Sequence, residues 1–177
     1  MKYLLANLVS GEAEKLQQKM VRDLSERFDA HWLNDYWTPA HFTLKSLFDE
    51  QYVSQVESVL EEFAPLNRAF PVTISGFRCF PDCAFMDVQL SPEAHDIYMR
   101  LMAELKKIEG MEWDEHEAED RLFHLSIALF DIDKHYDALC AYLKTIEYSF
   151  TVQFDNIALL EQNDAGWIIR RYFSLGA

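Results

Sequence analysis

Two short runs carry side chains that could do chemistry. "HFTL" begins at His41 and "HLSI" at His124, and each sets an imidazole two residues ahead of a hydroxyl, Thr43 and Ser126, in apolar surroundings. In a strand, residues i and i+2 project to the same side. An imidazole gains or loses a proton near neutral pH, and a hydroxyl can donate a hydrogen bond to an oxygen of the same ligand. Two such units face to face supply an acid, a base and two donors around one anion. That set suits displacement at phosphorus: one histidine activates the attacking water and the other protonates the leaving oxygen. The hydroxyls and the charged imidazole hold the non-bridging oxygens as charge moves. The remaining histidines, His31, His95, His116 and His135, have no Ser or Thr two places on.

These pairs need strands to aim them. By parity, His41, Thr43 and Lys45 share one face of the first motif strand and Phe42, Leu44 and Ser46 the other. In the second, His124, Ser126, Ala128 and Phe130 share a face, while Phe123, Leu125, Ile127 and Leu129 form a solidly apolar one. The apolar faces belong against helices, which turns the polar pairs toward a cleft. Lys45 is then a candidate phosphate contact, with a solvated strand-end lysine as the plain alternative. Arg121, three residues before His124, is a candidate anion contact from the start of its strand. In the first strand Leu4, Ala6 and Leu8 read as core, which turns Tyr3 toward the cleft as a candidate base-stacking ring; a packed rim aromatic is the alternative. Parity sends Arg170 and Arg171 to opposite faces. Trp32, Tyr36 and Trp37 read as a surface-loop anchor or a lid over a base, and His116 sits in an acidic, solvated segment.

The supporting elements follow from periodicity. Lys2 to Val9 reads as a strand, and Gly11 to Phe28 as a helix with Leu16, Met20, Leu24 and Phe28 four apart. After the first motif strand, Gln51 to Phe63 is helical and ends before Pro65. Strands are expected over Pro71–Phe77 and Ala84–Leu90. A helix capped by Ser91 with Pro92 in its first turn follows to about Ile108. Beyond the second motif strand come a helix from Asp131 or Asp133 to about Glu147 and two closing strands, Phe150–Glu161 and Gly166–Leu175, joined by the turn residues "QNDAG". Each motif strand is followed by a helix and then a pair of strands, a coarse duplication. The expected class is α+β: two pseudo-symmetric, mostly antiparallel sheets with outer helices and a central cleft, in one bilobal domain spanning residues 1–177.

Bulk properties narrow the partners. A formal net charge of −14 argues against an extended basic surface for long nucleic acid, while a small phosphate ligand in a local pocket stays compatible. No apolar run reaches the roughly 18 residues needed to span a bilayer, and the start reads as a strand rather than a leader; the expectation is a cytoplasmic protein with no membrane partner, monomeric by default. Cys79, Cys83 and Cys140 are too few for a disulfide framework and lack the companions of a zinc site, so reduced thiols are expected.

The pair "HFTL" and "HLSI", with "PAHFTL" around the first, resembles the signature motifs of the two-histidine (2H) phosphoesterase superfamily, which includes bacterial 2′-5′ RNA ligase and cyclic phosphodiesterase proteins. "KYLLANLV" followed by a helix resembles that family's opening, and "FTVQFDNIALLEQNDAGWIIRRYFSL" its last hairpin. Phe123 stands where the family often has proline. The resemblance implies a bilobal fold with pseudo-two-fold symmetry, His41 and His124 as acid and base in the cleft, and Thr43 and Ser126 as phosphate ligands. It implies an enzyme that opens 2′,3′-cyclic phosphates or cleaves phosphodiester links in nucleotides or RNA ends, without metal or cofactor. A nucleotide-binding module of the same fold that turns nothing over is the alternative.

Overall fold

The structure is a computed structural model describing residues 1–114, 117 and 121–176. Among these residues the chain forms β1 (Lys2–Leu8), α1 (Glu12–Phe28), the short α2 (Trp32–Asp35), β2 (His41–Asp49), α3 (Val53–Phe63), β3 (Phe70–Phe80), β4 (Cys83–Leu90), α4 (Pro92–Leu105), β5 (Phe123–Leu129), α5 (Tyr136–Leu143), β6 (Ser149–Phe154), β7 (Asn156–Asn163) and β8 (Gly166–Ser174). Local chemistry sets several boundaries. The Ser91 hydroxyl accepts from Ala94 N at 3.2 Å and Pro92 fills the first helical position, so α4 starts there. α1 ends at Asp29, which adopts a left-handed conformation.

Two antiparallel four-stranded sheets result, in the orders β2-β1-β7-β8 and β5-β4-β3-β6. The two ends of the chain build the first sheet and its middle builds the second. The α+β class with two sheets and packed helices is as the sequence implies. The expectation for the closing strands needs correcting. Phe150–Glu161 is not one strand: it breaks at Asp155 into β6, which pairs with β3, and β7, which pairs with β1. Asn156 fixes the crossing, its side chain accepting from Leu8 N at 2.8 Å and donating to Leu8 O at 3.0 Å. An unbroken apolar alternation hides such a change of sheet.

One apolar core runs beneath both sheets. It takes Met20 and Leu24 from α1, Val56 and Leu60 from α3, Ile97 and Leu101 from α4, and Leu139 and Leu143 from α5, packed on strand residues such as Leu5, Phe42, Ile74, Met86 and Leu125. Each such fully buried side chain stabilises the fold by about 1.5–3 kcal/mol. A smaller cluster of Leu4, Ala6, Ala158, Leu160 and Trp167 covers the opposite face of the first sheet. This inverts the expectation for β1. Tyr3 and Leu5 join the helix-packed core, whereas Leu4 and Ala6 look to the other side. Both faces of β1 are apolar, so alternation alone does not say which one meets the helices. Among the described residues, no helix is long and apolar enough to cross a membrane.

Candidate active site

β2 and β5 are each the edge strand of their sheet, and the two edges lie side by side. Core contacts fix the alignment. The ring of Phe42, next to His41, meets that of Phe123, next to His124, edge-on at 6.0 Å, and Arg121 Nη2 donates to Ser46 Oγ at 3.3 Å. The strands thus pass in opposite directions with the two histidines at the crossing. A proton on His124 disfavours one on His41, which places the imidazoles within electrostatic reach of each other.

The two motifs match in more than sequence. From His41 to Ser46 and from His124 to Leu129, partly exposed and buried residues alternate and then break in the same way, with two buried residues in succession after the hydroxyl. The ladders explain the break. Ala6 pairs with Thr43 but Leu5 pairs with Lys45, so Leu44 is extra. Phe85 pairs with Ser126 but Ala84 with Ala128, so Ile127 is extra. Each motif strand carries a β-bulge directly after its hydroxyl, and such a bulge bends the strand and switches the side on which later residues fall. His41 and Thr43 share the side of Leu8 and Ala6, away from the helices, and His124 and Ser126 share that of Asp87 and Phe85.

Both imidazoles are held alike. His41 Nδ1–H donates to Pro39 O at 2.7 Å, and His124 Nδ1–H donates to Leu122 O at 3.1 Å, in each case two residues back. A carbonyl only accepts, so in the neutral ring the proton sits on Nδ1 and the lone pair on Nε2. Among the described residues neither Nε2 has a hydrogen-bond partner, and neither does the hydroxyl of Thr43 or Ser126. Burial pushes both imidazoles below the ordinary histidine range, against the raising effect of those backbone hydrogen bonds. The charge of Arg121 lowers His124 further and that of Asp87 raises it.

The bulges correct the expectations for the cations. Lys45 is placed on the core side with Leu5, 1% exposed, and its ammonium pairs with Glu117 Oε2 at 2.9 Å beside the Trp113 ring. Glu117 also accepts from the amides of Ser46 and Asp114, and Arg121 Nη1 lies 3.7 Å from it. Lys45 thus neutralises a buried carboxylate and its head does not face the motif side, whereas Arg121 stands between that carboxylate and Ser46 Oγ, and its charge is felt at His124. Tyr3 is fully buried, its ring 6.0 Å from that of Phe48, and it does not reach the cleft. Another bulge, between the Leu159–Arg171 and Leu160–Ile169 pairs, defeats parity in β8. Both Arg170 and Arg171 reach Glu57 on α3, on the helix side. His116 lies outside the described residues.

Residues 11–166 match the family described as the 2′-5′ RNA ligase superfamily. The chain belongs to this superfamily. No curated protein sequence matches it. Among solved structures it is similar to TT0787 of Thermus thermophilus (14% identity, TM-score 0.61, covering 99% of this chain and 98% of that one). It is also similar to the E. coli LigT apo form (8%, TM-score 0.62, 99% and 98%) and to the MHV ns2 PDE domain (14%, TM-score 0.60, 99% and 100%). At such identities the likeness speaks for the fold alone.

In this superfamily member, three cleft-side residues that motif parity did not single out lie along the cross-strand rows of His124 and Ser126. Asp87 pairs with His124 across the β4–β5 ladder. Phe85 pairs with Ser126, and its ring lies 4.8 Å from that of His124. Arg78 pairs with Phe85 on the far side of β4. The "CFPDC" run held the signal: a two-residue turn at Pro81–Asp82 sets Phe80 opposite Cys83 and, two steps on, Arg78 opposite Phe85. The aromatic segment before the first motif is anchored at both sheets. Asp131 accepts from the amides of His31 and Trp32, each at 2.7 Å, and Trp37 bridges to Gly166.

Proposed function

We propose that the protein is a metal-independent phosphodiesterase that hydrolyses a 2′,3′-cyclic phosphate or a 2′-5′ link in a nucleotide or RNA end, with His41 and His124 as its acid–base pair. The carrying observation is the matched motif geometry: two imidazoles tied through Nδ1 to the carbonyl two residues back, each with Nε2 and the neighbouring hydroxyl unpartnered among the described residues, on adjoining strand edges. With Nδ1 fixed, proton traffic runs through Nε2. His41 has no carboxylate among the groups that shift it, so it starts neutral and takes a proton from water. Burial draws both imidazoles toward the neutral form, and of the two only His124 has a carboxylate, Asp87, opposing that; His124 is therefore assigned as the acid that gives its proton to the leaving oxygen. Thr43 and Ser126 donate to the non-bridging oxygens as charge accumulates. E. coli LigT has been crystallised with phosphate, 3′-AMP and ATP, which supports a nucleotide as the class of ligand.

The test is hydrolysis of a panel of 2′,3′-cyclic nucleotides and 2′-5′-linked dinucleotides in EDTA, with His41→Ala/His124→Ala as control. Turnover by the wild type alone is the expected result, and the product isomer identifies the bond that is cut. Ligand-induced stabilisation without turnover of any substrate would make the cleft a binding module instead.

A further inference from the structure

Across the second sheet, Ser126, Phe85 and Arg78 stand in one row on the cleft side. Two strand spacings separate the first from the last, about 9–10 Å. The guanidinium of Arg78 stacks over Phe80, 5.6 Å from its centroid, and Phe85, at 5.9 Å. The two rings give the guanidinium a floor while the side chain stays 47% exposed. Its only charged neighbour among the described residues is Asp87, with Oδ1 at 3.5 Å from Nη1, too long for a good hydrogen bond. Of five guanidinium donors, most are therefore open. Phe80 beneath it is 39% exposed, an aromatic surface beside a cation. The other cations considered for this cleft are already engaged: Lys45 at Glu117, Arg121 between Glu117 and Ser46 Oγ, and Arg170 and Arg171 at Glu57.

We propose that Arg78, stacked on Phe80, forms a second anion subsite in the cleft, one that takes a further phosphate of a nucleotide whose reacting phosphate lies between His41 and His124. The inference rests on the hydrolytic reading for the position of the reacting group, and adds a substrate class: nucleotides carrying at least two phosphates. The spacing makes the two phosphates distinct, since a group held at Ser126 lies two strands from the row position of Arg78. A planar guanidinium suits phosphate oxygens, which accept two of its parallel N–H groups at once. In a chain with a net charge of −14, a cation held on the cleft face also gives the approaching anion a local target.

The test compares kcat/KM for uridine 2′,3′-cyclic phosphate and for the same compound bearing a 5′-phosphate. It uses wild type, Arg78→Gln, Arg78→Lys, and Arg100→Ala as a control on a surface pair of α4. Glutamine keeps a stem to cover Phe80 and Phe85. The expected result is a wild-type preference for the 5′-phosphorylated compound of about tenfold or more, carried by KM. That preference collapses in Arg78→Gln, survives in part in Arg78→Lys, and is unchanged in Arg100→Ala. Equal use of both compounds by the wild type, or an unchanged ratio in Arg78→Gln, overturns the subsite. Equilibrium binding of both compounds to His41→Ala/His124→Ala, with and without Arg78→Gln, separates the two readings. Turnover without an Arg78-dependent preference removes the subsite and leaves the hydrolysis. Arg78-dependent binding without turnover leaves the subsite and removes the hydrolysis, and the absence of both removes both.

Discussion

β2 and β5 have the same frame and different surroundings. Each sets a histidine and a hydroxyl on the cleft side, ties the imidazole to the carbonyl two residues back, and bulges immediately after the hydroxyl. The bulge brings a lysine into the core in one strand and an alanine in the other. Lys45 therefore requires Glu117, whereas Ala128 packs without a partner. On the cleft side, His41 lies across the ladder from Leu8 and His124 from Asp87. Symmetry of backbone supplies two equivalent groups, and the neighbours make them unequal, which acid–base chemistry requires of a pair.

The sharpest way to break the equivalence is to remove one histidine at a time. His41→Ala and His124→Ala are each expected to lower kcat by about 10²–10⁴-fold, with the double variant far short of the product of the two losses, because the pair acts as a unit. Steady-state kinetics on the cyclic nucleotide checks this. A single variant with full activity would take that residue out of the mechanism.

The second difference predicts a loss of stability rather than of chemistry. Glu117→Ala leaves the Lys45 ammonium buried with no carboxylate, at a cost of about 3–5 kcal/mol. Replacing both, as Lys45→Met/Glu117→Leu, makes β2 resemble β5 at this position and is expected to restore most of the loss. Denaturant unfolding measures both. If the double variant is no more stable than Glu117→Ala, the amides of Ser46 and Asp114, which also depend on that carboxylate, matter more than the ion pair.

The chemistry of the motifs was legible because i, i+2 spacing survives from His41 to Thr43 and from His124 to Ser126. The sequence reading failed one residue later. Parity sent Lys45 and Ala128 toward the cleft, and an inserted residue in each strand sent them to the core. Arg170 misled in the same way. A bulge leaves no trace in composition, since Leu44 and Ile127 are ordinary strand residues. Tyr3 failed for another reason: a central strand with two apolar faces carries no sign of which face the helices cover. Asp87 became visible only through ladder register, which brings residues of separate strands to one row, and Arg78 needed the Pro81–Asp82 turn to be read as the pin of that register.

The hydroxyls should be interchangeable to a degree that the histidines are not. Thr43→Ala and Ser126→Ala each remove one neutral donor, for an expected loss of about 1 kcal/mol of transition-state stabilisation, or several-fold in kcat/KM. Thr43→Ser and Ser126→Thr should retain activity near the wild-type level. Loss of activity in these swaps would mean that the two sites select the methyl group as well as the donor.

The smallest effect is the most informative about roles. Burial holds both imidazoles below the ordinary histidine range, so the bell-shaped pH profile should sit to the acid side of one for exposed histidines. Asp87 favours protonated His124, against the opposing charge of Arg121. In Asp87→Asn that support is gone, and His124 loses its proton at lower pH. An acid must be protonated to act, so rate falls as pH rises through its pKa, and a lowered pKa moves the alkaline limb toward acid. The expected outcome is therefore an alkaline limb displaced to lower pH, with the acid limb, set by His41, in place. Were His124 the base, the same substitution would move the acid limb instead and the roles would be exchanged. A profile that does not move at all would mean that the pairing of Asp87 with Arg78 already cancels its charge at His124, so that the asymmetry between the strands resides in Arg121 alone.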